Sequence, residues 1–277
     1  RGMSSAASDV YKRQALSFSE LSLSVLGISI LTAGIIQLIL NFSVVVYLGV
    51  LPKLTIYFDR DTLKSFFNKF VPAIFAAGVY QLNVLVDTIF ASFLITGSPT
   101  WLYLSERLVQ FPLGLFGVAV ALVSLPNLTE LFLKNDMKQI SSQSFKILGI
   151  LILMGIICFF GAFFLGDLII ELLFKRGEFS NYDVNMTFLA LQGYAISLIF
   201  LLPQKYFNSL FFAISKTYMV VTTGLIALIT NLILNYYFIF ELDFGHYGLA
   251  LATSVSSVIV FFISLTWLFN KKVLIVN

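Results

Sequence analysis

GSPTWLYLSERLVQFPLGLFGVAVALVSLP, residues Gly97 to Pro126, is the stretch on which the reading of this chain turns. Its apolar run is long enough for a bilayer-crossing helix, which needs about 20 residues. Yet Glu106 and Arg107 stand side by side inside it. A charge at membrane depth costs roughly 2.5–3.5 kcal/mol on insertion scales, so such groups face a protein interior or a wet cavity and mark transport paths.

Composition extends that reading outward. The 277 residues are 59% hydrophobic and only 11% charged, against about 25% charged in a soluble domain. A water-facing surface cannot be built from this supply, so the chain is read as an integral membrane protein. The formal charge of +3 is scattered through loops, which argues against a nucleic-acid partner. Cys158 is the only cysteine, so no internal disulfide can form. His246 is the only histidine, and no zinc, P-loop or nucleophile-elbow motif is present. The expectation is a protein that is not an enzyme and holds no cofactor beyond a coupling ion.

Polar breaks mark off seven apolar runs, near 21–49, 69–95, 99–125, 146–172, 186–214, 217–240 and 246–269. Helices satisfy every backbone group within the segment, so the expected fold is an all-α, polytopic membrane helix bundle of about seven spans. Pro72, Pro112 with Gly114 and Gly117, and Pro203 interrupt these runs. Lys53, Arg60, Lys64 and Lys69 follow the first span, and Lys134, Lys138 and Lys146 the third. Lys216 follows the fifth, and Lys271 and Lys272 the last. The alternate loops LITGSPT and ELDFGHYG carry no Lys or Arg, and Lys175 and Arg176, the exception in the remaining loop, have Glu171, Glu178 and Asp183 beside them. The positive-inside rule therefore puts the basic loops and the C-terminus of this chain in the cytoplasm. Trp101, Tyr47 and Trp267 fall near the expected interfaces, and His246 in an outer loop. Residues 1–14 are polar and aperiodic, and read as a lead foreign to the protein. Residues 58–69, FDRDTLKSFFNK, read as an amphipathic cytoplasmic linker or as the start of the next helix.

Several side chains invite chemistry. Adjacent helical residues point about 100° apart, so Arg107 is expected to face a cavity while Glu106 finds another partner. Asp87, mid-span with Gln81 and Asn83 nearby, suggests a coupling site for H+ or Na+. Asn231 and Asn235, spaced i, i+4, share a helix face, and Thr253 adds a hydroxyl on the last span. Carboxylate, amide and hydroxyl oxygens suit a hard cation; the amides and hydroxyl alternatively serve as interhelical hydrogen bonds. Lys205, after Pro203, either lines a cavity or snorkels to the interface. Gln110, one turn after Arg107, offers a hydrogen bond to a cavity ligand or to a neighbouring helix. Thr100 and Trp101 open the third span, as part of an external gate or as an interfacial anchor.

FVPAIFAAGVYQLNVLVDTIFASFL (70–94), followed by the stretch from Gly97 through Phe132, resembles the central signature of the MurJ/MviN lipid II flippases. These belong to the multidrug/oligosaccharidyl-lipid/polysaccharide (MOP) exporter superfamily. LLFKRGEFSNYDV (172–184) resembles the family's external loop, and FFAISKT (211–217) the link between two later spans. The resemblance implies a fold of fourteen helices in two pseudo-symmetric lobes, of which this chain covers the sixth through twelfth. Residues 15–57 would hold the last helix of the N-terminal lobe, and 70–277 a partial C-terminal lobe of six helices. It further implies ion-coupled alternating access in the bacterial inner membrane, with undecaprenyl-pyrophosphate-linked precursor, lipid II, as cargo and membrane lipids around it. Arg107 would be a cavity arginine holding the pyrophosphate, with Lys205, Gln110 and Thr100 beside it. Asp87, Asn231, Asn235 and Thr253 would form a Na+ site, although a position that can be acidic in the family is Asn235 here. The alternatives are a related exporter of other lipid-linked oligosaccharides or of drugs, and a non-transporting membrane scaffold. Arg107 and Lys205 favour an anionic cargo over a cationic drug.

Overall fold

A computed structural model describes residues 23–49 and 59–274. Lys53 and the expected foreign lead at 1–14 lie outside these residues. The chain divides into two compact units, residues 1–68 and 69–277. In the first, α1 (Leu23–Tyr47) is a 25-residue helix without a charged residue in its first or last turn. Its Ile28–Tyr47 part is long and apolar enough to cross a membrane.

Helix α2 (Arg60–Ser92) runs unbroken for 33 residues, so the expected linker at 58–69 supplies its opening turns. After it come α3 (Ser98–Pro112), a π-helical segment π1 (Leu113–Val118) and α4 (Ala119–Leu133), which together make one apolar span. Helix α5 (Met137–Phe174) follows, then α6 (Asn181–Ala195) and α7 (Ser197–Ala213). The remainder is α8 (Thr217–Tyr236), continued by π2 (Tyr237–Glu241), and α9 (Gly245–Asn270). Among the described residues five helices are long and apolar enough to span a bilayer, or six if the α6–α7 pair counts as one. Six of the seven expected spans are found in this set. The seventh coincides with α2.

The proline expectations divide. Pro112 ends α3, and the helix widens at once into π1 instead of stopping. Pro203, by contrast, lies inside α7 without breaking it. The fifth span instead bends by 50° between Ala195 and Ser197. There the Ser197 hydroxyl donates to the Tyr194 carbonyl at 2.6 Å, the kind of side-chain intrusion into the helical ladder that kinks helices.

Three helix ends share one stop. Asn135, Ser215 and Lys272 adopt left-handed backbone conformations with φ of 60°, 58° and 54°. The following amides reach back to Leu131 O at 3.1 Å, Phe211 O at 2.8 Å and Leu268 O at 3.0 Å. This is the Schellman closure of a helix C-terminus, and each instance stands in a lysine-bearing loop. At the opposite kind of end, Ser180 and Asp183 form a reciprocal capping box that starts α6.

Within the second unit the packing centres on α7. Tyr206, Phe207, Leu210 and Phe211 are fully buried among Leu128, Ile140, Leu148 and Leu151. Lipid is as apolar as leucine, so close van der Waals contact rather than water exclusion draws membrane helices together. Gly155 shows how close: a Cβ there would stand 2.7 Å from Ile199 Cα and 2.8 Å from Leu198 O. Helix α5 thus lies against the α7 backbone. Polar contacts add to this packing, with Ser144 and Tyr206 hydroxyls 2.8 Å apart and Ser254 donating to Gly193 O at 2.6 Å.

Candidate functional site: a polar cavity among the helices

A cavity of about 580 Å³ opens inside the second unit, walled by side chains of α2, α3, α6, α7, α8 and α9. Its walls are mainly apolar. Its charged lining residues are Asp87, Glu106 and Lys205, with Asn83, Gln110, Gln204, Asn208 and Thr253 as neutral polar ones.

Behind one wall a hydrogen-bond chain crosses three helices, joining the lining residues Asp87 and Thr253 through Asn235 and Asn231, which are not in the lining. Asn235 Nδ2 donates to Asp87 Oδ1 at 2.7 Å and to Asn231 Oδ1 at 2.9 Å. Asn231 Nδ2 donates to Thr253 Oγ1 at 3.1 Å, and that hydroxyl donates to Leu249 O at 3.3 Å. Asn231 and Asn235 are wholly buried. The i, i+4 spacing therefore does what the sequence suggested, stacking both amides on the face of α8 that meets α2 and α9. One oxygen, Asn235 Oδ1, is buried with no hydrogen-bond partner.

The arginine expectation is reversed at α3. Glu106, not Arg107, lines the cavity, and its Oε1 accepts from Gln110 Nε2 at 2.8 Å. Arg107 is exposed, with its guanidinium carbon 4.8 Å from the Tyr103 ring centroid. The 100° between neighbours admits one of the two side chains to the cavity, and the shorter carboxylate takes it. Arg107 instead stacks one turn back on Tyr103, itself a lining residue, and so stands at the rim. Gln110 and Lys205 do line the cavity, whereas Thr100 does not, although the preceding Pro99 does.

Two outer-end expectations are also corrected. Trp101 is 3% exposed rather than an interfacial anchor, because its Nε1 donates to Asp183 Oδ1 at 2.9 Å across to α6. His246 is 5% exposed rather than a loop residue. Its Nε2 lies 2.9 Å from Met186 O and its ring 5.2 Å from that of Trp101. Gln204 and Asn208, to which the sequence assigns no role, also line the cavity, with Gln204 Nε2 donating to Asn208 Oδ1 at 3.1 Å on the α7 wall. Their i, i+4 spacing around Lys205 was the available signal.

The sequence model of one family, described as lipid II flippase MurJ, matches residues 10–277. A probable lipid II flippase MurJ of Vibrio cholerae is 32% identical over 232 residues, 84% of this chain and 44% of the relative. The corresponding Buchnera aphidicola protein is 30% identical over 255 residues, 91% of this chain and 49% of the relative. The chain thus spans about half the length of the curated relatives it matches. Among solved structures, an inward closed lipid II flippase MurJ superposes with a TM-score of 0.66 at 28% identity. That match covers 82% of this chain and 48% of the other. An outward-facing multidrug resistance MATE transporter of the MOP superfamily also gives 0.66, at 17% identity, over 75% of this chain and 45% of that one; it supports the fold alone. With its apolar helices, its MOP-type helical fold and a family match running almost from end to end, this multi-pass membrane protein belongs to the MurJ family of lipid II flippases.

Proposed function

We propose that the chain serves as part of a lipid II flippase of the bacterial inner membrane, moving the undecaprenyl-pyrophosphate-linked precursor by Na+-coupled alternating access. The observation that carries this reading is the hydrogen-bond chain from Asp87 through Asn235 and Asn231 to Thr253. All its acceptor atoms are oxygens, the donor type that hard cations take. It contains one carboxylate, and among the described residues no group of three or more His, Cys, Asp or Glu side chains gathers anywhere. One negative charge with neutral oxygens suits a monovalent ion better than a divalent one. A proton needs only the carboxylate, whereas amide and hydroxyl oxygens can also coordinate Na+, which favours Na+ over H+. The buried, unpartnered Asn235 Oδ1 fits this role, because a cation would supply the charge that this lone pair lacks.

Asp87, Asn231, Asn235 and Thr253 would hold the ion by reorienting amides that now bond to each other. The cargo's anionic head is assigned to the exposed Arg107 at the cavity rim, because a guanidinium gives phosphate several fixed donors and keeps its charge. Lys205 and Gln110 would take the parts of the head that enter the cavity. Thr100, outside the lining, is withdrawn from that set. The lysine-bearing Schellman ends would face the cytoplasm. The test is transport of lipid II by the full-length protein in vesicles, with and without a Na+ gradient. Wild-type transport is expected to follow the gradient, and Asp87→Asn to lose that dependence. Gradient-independent transport by the wild type would overturn the coupling.

A further inference from the structure

The polar cluster and the bent span meet on one turn of α9. Thr253 and Ser254 are neighbours there, so their side chains leave the helix about 100° apart. The Thr253 hydroxyl accepts from Asn231 of α8 at 3.1 Å. Ser254 is buried, and its hydroxyl donates across to Gly193 O of α6 at 2.6 Å.

Gly193 lies near the end of α6, just before the 50° bend into α7. In a continuous helix Gly193 O would accept from Ser197 N–H, and Tyr194 O from Leu198 N–H. At the bend both carbonyls accept hydroxyls, from Ser254 across the interface and from Ser197 within the span. The α9 hydroxyl therefore stabilises the bent form by holding a carbonyl that a straight helix would use. The contact has no slack. A Cβ on Gly193 would stand 2.7 Å from Ala250 Cβ and 3.2 Å from Tyr247 O, and packing this close transmits a shift of one helix to the other. Beyond the bend, α7 brings Leu201, Gln204 and Lys205 to the cavity wall.

We propose that Ser254 is a positioning residue that ties the α6–α7 bend to the Asp87 cluster, so that filling the cluster holds the bend and with it the angle at which α7 presents Lys205 to the cavity. The inference rests on the Na+ reading of that cluster. An ion bound to Thr253 Oγ1 would fix this turn of α9, and Ser254 would pass the constraint to Gly193 O.

Hydrogen–deuterium exchange of the backbone amides across residues 193–199 tests it, in the purified full-length protein in NaCl against KCl at equal ionic strength, beside the thermal midpoint of each sample. In the wild type Na+ should raise the midpoint and slow exchange at the bend severalfold, since exchange follows local opening. Ser254→Ala should keep the Na+-specific rise in midpoint but lose the slowing. Ser264→Ala, which removes another buried α9 hydroxyl, one without a hydrogen-bond partner, should keep both. A wild-type bend that ignores Na+ while the midpoint rises would overturn the proposal. So would slowing retained in Ser254→Ala, slowing lost in Ser264→Ala, or the midpoint rise itself lost in Ser254→Ala. No Na+-specific rise in the wild type would instead remove the ion reading, and this inference with it.

Discussion

The α2–α8–α9 contact and the α3 rim both place charged or amide side chains inside apolar helices, but the fold treats them in opposite ways. At the first, Asp87 finds Asn235, which finds Asn231, which finds Thr253, and the chain ends on a backbone carbonyl. At the second, the pair is split: Glu106 turns in and Arg107 stays out over Tyr103. The difference teaches where stability and function part company. A closed polar chain shared by three helices contributes to holding them together, whereas an exposed guanidinium on a ring is held by little and remains available to a partner.

Substitutions in the two regions should separate these roles. The largest effect belongs to the rim. In the full-length protein Arg107→Ala should reduce lipid II transport about tenfold or more, because a hydrogen bond to a charged group contributes about 1.5–3 kcal/mol. Its thermal midpoint should not move. A large drop in midpoint would mean that Arg107 is structural and would erase the distinction.

Next comes Asn235→Leu, which deprives the buried Asp87 of its donor. Leaving a buried polar group unsatisfied costs about 1–3 kcal/mol, to be read as a lower unfolding midpoint in detergent. An unchanged midpoint would show that the chain adds nothing to packing. Asn235→Asp should behave differently, lowering the midpoint without Na+ through repulsion from Asp87 and recovering it with Na+ by mass action. A midpoint indifferent to Na+ in that variant would argue against an ion there. The smallest effect is Thr253→Val, which removes the last link. Interhelical hydrogen bonds of this kind average about 0.6 kcal/mol in membrane proteins, so a small midpoint shift with transport retained is expected. Loss of transport at full stability would make Thr253 a ligand of greater weight.

The helices were readable from the sequence because apolar runs long enough to span lipid leave few alternatives, and the boundaries at Asn135, Ser215 and Lys272 coincide with polar breaks. The shared face of Asn231 and Asn235 was also readable, since residues spaced i, i+4 lie on one side of a helix; that Asp87 and Thr253 meet them was implied by the family resemblance. What the sequence misjudged was direction about the helix axis. Nothing in SER at 105–107 says which charge enters a cavity, because that depends on the rotation α3 adopts against α6 and α9. The same holds for Trp101, which looked interfacial until Asp183 of a distant helix met its indole. The bend at Ile196 was hidden for a different reason: Pro203 advertised a break, while the break came from a serine taking a carbonyl.

Na+ binding at the Asp87 cluster, the basis of the proposed coupling, is to be read from the thermal midpoint of the purified 277-residue chain. Midpoints are compared in NaCl and KCl at equal ionic strength, for the wild type and for Asp87→Asn. A rise specific to Na+ is expected in the wild type, growing with concentration as RT ln(1 + [L]/Kd), and none in the variant. Equal midpoints in the two salts for the wild type, or an undiminished Na+ response in Asp87→Asn, would contradict it.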